Sequence, residues 1–113
     1  MLDRLFGNRT ASRVLLYLRR YGEGYPSGIA STFGLGLRSV QLQLEKLEAE
    51  GIIASRMKGR TRVFSWNPSW PLLDELKGLL DRAFDYMDPE EIEKHYMQRT
   101  RPRRRGKPVD DQR

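Results

Sequence analysis

The sequence predicts a mainly helical α+β domain, in which three helices are followed by a β-hairpin and then by further helices. Three observations carry this prediction. Apolar residues recur at helical spacing over three separate segments before residue 51. Two strand-like runs follow, separated by Met57-Lys58-Gly59, a hairpin signal with glycine where a positive φ is needed. After Pro68 the helical spacing returns.

Each predicted helix has start and stop signals of its own. Asn8 can cap a first helix that runs to about Tyr21. Pro26 fits the first turn of a short second helix, which Gly34 stops. A third helix is predicted over roughly residues 37–50, with one face polar and the other apolar. Its apolar sector contains Leu37, Val40, Leu44 and Leu47.

The strands and the closing helices are predicted from periodicity and capping. The strand-like runs cover residues 52–56 and 60–66, and Phe64 and Trp66 share a face that we expect to lie in the core. A fourth helix is predicted from about Trp70 to Met87, and Asp88-Pro89 starts a short fifth helix.

Apolar residues of the fourth helix alternate steps of three and four, which is the spacing of a coiled-coil seam. In a lone chain such a seam would expose a large apolar stripe, so it predicts a homodimer through this helix. The predicted dimer residues are Leu73, Leu76, Leu80, Ala83 and Met87.

Length and composition limit what the chain can be. At 113 residues there is room for one compact domain and a short appendage. We expect a core over residues 1–67, C-terminal helices over 68–98 and a basic tail over 99–113 that is too polar to fold alone. The absence of cysteine excludes disulfides and thiolate zinc sites. No signal-peptide segment or membrane-length apolar run is present, which predicts a cytoplasmic protein without a membrane partner.

The formal net charge of +6 is unevenly distributed. Residues 1–70 carry eleven basic and five acidic groups, and residues 98–113 carry seven and two. Residues 71–97, by contrast, carry three basic and eight acidic groups. This segregation predicts that one half of the domain and the tail face a polyanion.

A run of motifs in the middle of the chain resembles the helix-turn-helix of ArsR-type and MarR-type winged-helix repressors. The motifs are the Ile29-Ala30 pair, Gly34 at the turn, the stripe of Val40, Leu44 and Leu47-Glu48, and the exit Gly51-Ile52-Ile53. The segment Lys58-Gly59-Arg60 through Phe64 looks like the wing of the same families, and the fourth helix resembles the dimerisation helix of ArsR-type proteins. The resemblance covers about residues 8–67. It implies a winged helix-turn-helix with a two-stranded wing and C-terminal dimerisation helices, and dimeric, sequence-specific repression of a promoter.

The polar face of the third helix agrees with such a function. A recognition helix buries one face and offers the other to the major groove of double-stranded DNA, chiefly through its N-terminal part. Arginine can pair with guanine, glutamine with adenine, and an apolar group can meet a thymine methyl. The predicted contacts are Arg38, Ser39, Gln41 and Leu42, with Lys46 touching phosphate. Glu45 on the same face does not fit, unless it accepts from a cytosine amine or lies past the groove.

The hairpin concentrates cations. Within seven residues it carries Arg56, Lys58, Arg60 and Arg62, which we expect to contact phosphate or the minor groove. The tail adds Arg101, Arg103, Arg104, Arg105 and Lys107. Its Arg105-Gly106-Lys107-Pro108 looks like the core of AT-hook peptides, so both minor-groove reading and simple phosphate affinity stay open.

Other functions have less support in the sequence. The single histidine, His95, sits among acids and leaves no nucleophilic triad, so no enzyme and no cofactor are predicted. The acids at 74, 81, 85 and 88 with His95 fit a solvated helix face better than a metal site. An architectural or RNA-associated winged-helix protein, or a protein–protein adaptor, remains an alternative. Operator, effector, and the choice between repressor and activator are left open.

Overall fold

The structure, a computed structural model, describes residues 2–97. Helices and strands are mixed in one chain order. The elements are α1 (Leu2–Leu5), α2 (Arg9–Tyr21), β1 (Glu23–Gly24), α3 (Pro26–Phe33), α4 (Leu37–Ala49), β2 (Ile53–Lys58), β3 (Thr61–Trp66), α5 (Leu73–Asp85) and α6 (Pro89–Tyr96).

Local capping chemistry sets the helix ends. The Asn8 side chain accepts a hydrogen bond from the Ala11 amide at 3.1 Å, which satisfies a donor of the first turn of α2. Gly34 ends α3 in the left-handed conformation, with φ of 67°. Asp88 accepts from the Glu90 amide at 2.9 Å at the start of α6. These three ends confirm the boundaries predicted from the sequence.

One apolar core joins the helices to the sheet. Val14 and Leu18 of α2 are fully buried against Ile29 of α3, and Val40 and Leu44 of α4 complete this layer. Phe64 of β3 is buried in the same cluster, as predicted, and Trp66 packs at its edge. The Trp66 indole N–H donates to the Leu18 carbonyl at 3.1 Å, so the sheet is attached to α2 by a polar contact as well.

The sheet has three antiparallel strands in the order β1-β3-β2. The sequence predicted only the hairpin, because β1 has two residues and exists through pairing Gly24 with Phe64. Gly24 cannot be another residue without movement, since a Cβ there would lie 2.7 Å from the Tyr17 ring. The hairpin turn is Gly59-Arg60, with Gly59 at φ of 65°. The predicted separator Met57-Lys58-Gly59 therefore began two residues and ended one residue too early, because β2 continues to Lys58.

The apolar seam of α5 packs inside the chain. Leu73, Leu80 and Ala83 are buried, and Leu76 and Met87 pack against the same core. The expectation that these five residues form an exposed stripe is wrong. Their spacing marks the apolar face of a helix, and α2 of the same chain covers that face.

A second apolar stripe runs along α5 and faces outward, from the N-cap residue Leu72 through Leu79 to the C-cap residue Tyr86. Leu72, Leu79 and Tyr86 are 57%, 40% and 65% exposed. They are seven residues apart, so they follow one line along the helix surface. This stripe, Leu72/Leu79/Tyr86, is the exposed apolar face of α5.

Helix α6 folds back onto the core. Tyr96 is fully buried, with its ring centroid 5.6 Å from that of Phe33 and 5.0 Å from that of Phe84. The Tyr21 hydroxyl donates to the His95 carbonyl at 2.8 Å, and the Arg20 guanidinium donates to the Tyr96 carbonyl. Residues predicted as two units, 1–67 and 68–98, thus contribute to one core. Within residues 2–97 no helix combines the length and apolarity that crossing a bilayer requires.

Candidate nucleic-acid interface

The α3–α4 corner fixes which face of α4 is offered to a ligand. The left-handed Gly34 lets the Leu35 amide donate to the Ala30 carbonyl at 2.9 Å, which closes the turn tightly. Burial of Val40 and Leu44 then sets the rotation of α4 about its axis. Packing of the core therefore makes the opposite face of α4 point outward in the free protein.

The predicted contact residues of α4 lie on that outward face. Arg38, Ser39, Leu42 and Lys46 are exposed, and Gln41 is half-buried at its border. The first turn contains no acidic residue, so the positive end of the helix dipole is not neutralised there. The exposed side chains and the absence of acidic residues in the first turn make the N-terminal half of α4 suited to contact an anionic surface.

Leu37 is more exposed than its helical spacing predicts. The spacing predicts a place in the buried sector of α4, but Leu37 is 46% exposed. As the first residue of the helix it lies beyond the core layer formed by Val40 and Leu44. Leu37 therefore adds an exposed apolar group beside Arg38 at the N-terminal end of α4.

The four hairpin cations do not form one patch. Arg56 pairs across the strands with Val63, and Lys58 pairs with Thr61. Since successive side chains point to opposite faces, Arg56 and Lys58 share one face while Arg62 lies on the other. Arg60 sits in the turn. The hairpin thus presents cations to both sides and at its tip.

Arg56 has an internal partner. Its Nη2 lies 3.0 Å from Glu23 Oε1, in an ion pair that joins β2 to β1 across the sheet. Both side chains are about half exposed, so the pair is weakly held. Arg56 remains at the surface, but its charge is partly compensated.

Arg62 is held over α4. Its Nη1 donates to Ser55 Oγ at 3.0 Å, and Ser55 Oγ donates to Glu48 Oε2 at 2.6 Å. The guanidinium lines a groove of about 420 Å³ between α4, the start of α3 and the hairpin. The other lining residues are Pro26, Gln41, Glu45, Glu48 and Phe64. Sequence analysis missed Glu48 and Ser55; the strand register that places Ser55 beside Phe64 was the signal needed.

The opposite face of the hairpin borders a wider cleft, of about 840 Å³. Lys58, Thr61 and Val63 form its hairpin side. Tyr17, Tyr21 and Tyr25 form the other side. Burial raises the pKa of the Tyr17 hydroxyl, with the neighbouring tyrosines adding to the effect. Glu23 lines the same side of the cleft.

The acidic groups of α5 and α6 do not converge. Within residues 2–97 no group of three or more histidine, aspartate or glutamate side chains is placed to hold a metal ion. Asp81 is instead bound to Arg19, and that guanidinium holds its pKa below the ordinary range. The predicted tail contacts, Arg101, Arg103, Arg104, Arg105 and Lys107, lie outside the described residues.

Helices α2, α3 and α4, with a three-stranded sheet that ends in a basic hairpin, define a winged helix-turn-helix. At the level of sequence, no protein-family model matches the chain, and no curated protein is similar enough to count as a relative. Solved structures show the same fold at low identity.

Three of these structures illustrate the likeness. The antimony-specific transcriptional repressor AntR is 21% identical with a TM-score of 0.58, over 75% of this chain and 75% of AntR. MepR, a transcription regulator of the Staphylococcus aureus multidrug efflux pump MepA, is 18% identical with a TM-score of 0.56, over 81% and 74%. The homodimeric winged helix-turn-helix DNA-binding domain of Mb0332 from Mycobacterium bovis, a possible ArsR-family regulator, is 19% identical with a TM-score of 0.54, over 79% and 80%. What these structures share with this chain is the winged-helix fold, and the likeness does not distinguish the ArsR type from the MarR type.

Proposed function

We propose that this protein is a transcriptional regulator that binds double-stranded DNA sequence-specifically as a homodimer and has no enzymatic activity. The observation that carries the proposal is the outward face of α4. Burial of Val40 and Leu44 leaves Arg38 and Leu42 exposed, beside a hairpin with a basic tip. A helix fixed in this way, with a cationic hairpin at its side, suits a major groove and the backbone next to it.

The contacts divide by chemistry. Arg38 and Gln41 read base edges, since both side chains form paired hydrogen bonds with purines. Leu42 meets a thymine methyl, and Ser39 and Lys46 contact the backbone. Lys58 and Arg60 at the end of the hairpin supply sequence-independent affinity for phosphate or the minor groove. Arg56 contributes less, because Glu23 already pairs with it.

The dimer surface in this proposal is the exposed apolar face of α5, Leu72/Leu79/Tyr86. Large apolar side chains repeated every seven residues along an exposed helix are suited to pairing with a second copy. The Mb0332 domain, which has a similar fold, is homodimeric. Two copies of α4 related by a two-fold axis would read a palindromic site.

Repression is the regulatory direction we propose, because AntR, which has a similar fold, is a transcriptional repressor. A partner that is genomic DNA agrees with the cytoplasmic location predicted from the sequence. The basic tail is proposed to add phosphate contacts. Deleting residues 99–113 should then reduce the dependence of affinity on salt and keep the ranking of DNA sequences.

Selection of bound sequences from a random DNA pool tests the proposal. At about 150 mM salt, non-specific binding is weak enough for a preferred sequence to emerge. We expect a short palindrome, with half-sites separated by about one helical turn. Recovery of no preferred sequence, with RNA or random DNA bound equally well, would favour the architectural or RNA-associated alternative.

A further inference from the structure

Three elements meet at the Ser55 hydroxyl. Ser55 Oγ of β2 accepts a hydrogen bond from Arg62 Nη1 of β3 at 3.0 Å. The same oxygen donates to Glu48 Oε2 of α4 at 2.6 Å. A hydroxyl has one hydrogen to donate, so with Glu48 as its acceptor the lone pairs remain for the guanidinium. The chain Glu48–Ser55–Arg62 therefore has a fixed direction.

This chain connects the recognition helix to the hairpin. Glu48 lies in the last turn of α4, which is a rigid element because its Val40 and Leu44 are buried in the core. Arg62 lies in β3 on the face opposite to Lys58. A long arginine side chain on a hairpin would otherwise sample many rotamers, and restraining it before binding lowers the entropy lost on binding.

The restrained guanidinium lies in the groove between α4 and the hairpin, together with Gln41 and Glu45. When a helix occupies the major groove and a hairpin reaches the adjacent minor groove, one sugar–phosphate strand separates the two. That strand must cross the space between α4 and the hairpin. Arginine has five donors and its bond to Ser55 uses one, so it can hold a phosphate at the same time.

We propose that Glu48 and Ser55 are positioning residues that hold Arg62 against the DNA phosphate crossing between α4 and the hairpin. This inference rests on the proposed function and adds two residues that do not themselves touch DNA. It also separates Arg62 from Lys58 and Arg60, because Arg62 acts with the recognition helix and the other two act at the hairpin tip.

For the loss of Glu48, the proposal predicts a change in DNA affinity opposite in direction to the one that simple electrostatics predicts. Removing a carboxylate from a DNA-facing groove should strengthen binding to any DNA, because repulsion of phosphate falls. Glu45→Ala is the matched control, since Glu45 lines the same groove and we expect its loss to tighten binding. Glu48→Ala should instead weaken binding, because Ser55 loses its acceptor and Arg62 its fixed position.

The experiment measures affinity of the full chain for its selected DNA over a range of salt concentrations. Arg62→Ala should weaken binding roughly tenfold and lower the salt slope by about 0.9. Ser55→Ala should weaken binding by a smaller factor. Ser55→Thr, which keeps the hydroxyl, should bind DNA as tightly as the wild type. In an Arg62→Ala background, Ser55→Ala should have no further effect. Thermal unfolding of each variant shows whether it is folded. If Ser55→Ala is partly unfolded, wild-type affinity in Ser55→Thr still tests the role of the hydroxyl.

Two results would overturn this inference but leave the proposed function standing. One is wild-type protein that binds its DNA while Glu48→Ala tightens binding as much as Glu45→Ala does. The other is Ser55→Ala weakening DNA binding equally with and without Arg62. Wild-type protein without DNA binding would instead contradict the proposed function, and the inference with it.

Discussion

Arg19 of α2 and Asp81 of α5 face each other in a two-bond pair. Arg19 Nε lies 2.7 Å from Asp81 Oδ1, and Nη2 lies 2.8 Å from Oδ2. Planar pairing of this kind is geometrically specific as well as attractive. Together with the buried apolar residues of α5, it aligns α5 with α2 and so sets the direction in which the exposed apolar face of α5 points.

Removing this pair should have a small effect on stability. Both side chains are partly exposed, so Asp81→Asn should lower the free energy of unfolding by only about 0.2–1 kcal/mol. Arg19 lowers the pKa of Asp81, so the contribution is present above the ordinary aspartate pKa and is lost as the pH falls below it. Urea unfolding at pH 7 and pH 3 of wild type and Asp81→Asn measures this. A difference that is larger at pH 3 than at pH 7 would contradict it.

Local signals in the sequence predicted the capped ends of α2, α3 and α6, whereas structure that depends on long-range pairing was not predicted. Asn8, Gly34 and Asp88 act on backbone groups within a few residues, so the ends they cap were correctly predicted. Strand β1 was missed because two residues have no periodicity, and pairing with β3 creates it.

The site was predictable only in part, for the same reason. The outward face of α4 follows from its apolar stripe, so the exposure of Arg38 and Leu42 was predicted. Which surface covers the buried stripe of α5 depends on tertiary packing, so Leu80 was wrongly expected at an interface. The link from Glu48 to Arg62 needs the strand register and side-chain geometry together.

His95 should make stability depend on pH near neutrality. Burial lowers its pKa below 6.5, with Lys94 and Arg13 adding to the effect and Glu91 opposing it. Because the unfolded chain binds the proton more readily, the free energy of unfolding should fall as the pH drops below about 6.5. Urea unfolding at pH 7.5, 6.5 and 5.5 measures this trend. His95 is the only histidine, so His95→Gln should flatten it, and an unchanged slope in that variant would contradict the assignment.

Tyr96 should stabilise the fold through its ring and not through its hydroxyl. Within residues 2–97 the buried Tyr96 hydroxyl has no hydrogen-bond partner, and burial raises its pKa beyond the usual tyrosine range. Tyr96→Phe should be neutral or slightly stabilising, because an unsatisfied polar group is removed. Tyr96→Ala should cost about 3–5 kcal/mol, since it leaves a cavity beside Phe33 and Phe84. Thermal and urea unfolding compare the two, and a large loss in Tyr96→Phe would be inconsistent with this account.

Dimerisation should depend on the exposed face of α5. Leu72→Glu with Leu79→Glu should give a folded monomer, because both side chains are exposed within the chain. Leu80→Glu should unfold it, because Leu80 is fully buried. Sedimentation at micromolar concentration measures the mass. Met57→Glu, at an exposed apolar residue of the hairpin, is the control and should leave the mass unchanged. A wild-type monomer, or an unchanged dimer in the double variant, would show that α5 is not the interface.

The ratio of affinities for the selected palindrome and for random DNA tests the central claim most directly. Measured at about 150 mM salt, it should be at least 10³ for the wild type. Arg38→Ala should lower affinity for the palindrome by about 1–3 kcal/mol and relax preference at one base pair of each half-site, with little effect on random DNA. Lys58→Ala should weaken both by the same factor, as expected for a phosphate contact. Equal affinity of the wild type for both DNAs, or equal losses on both in Arg38→Ala, would contradict base reading by α4.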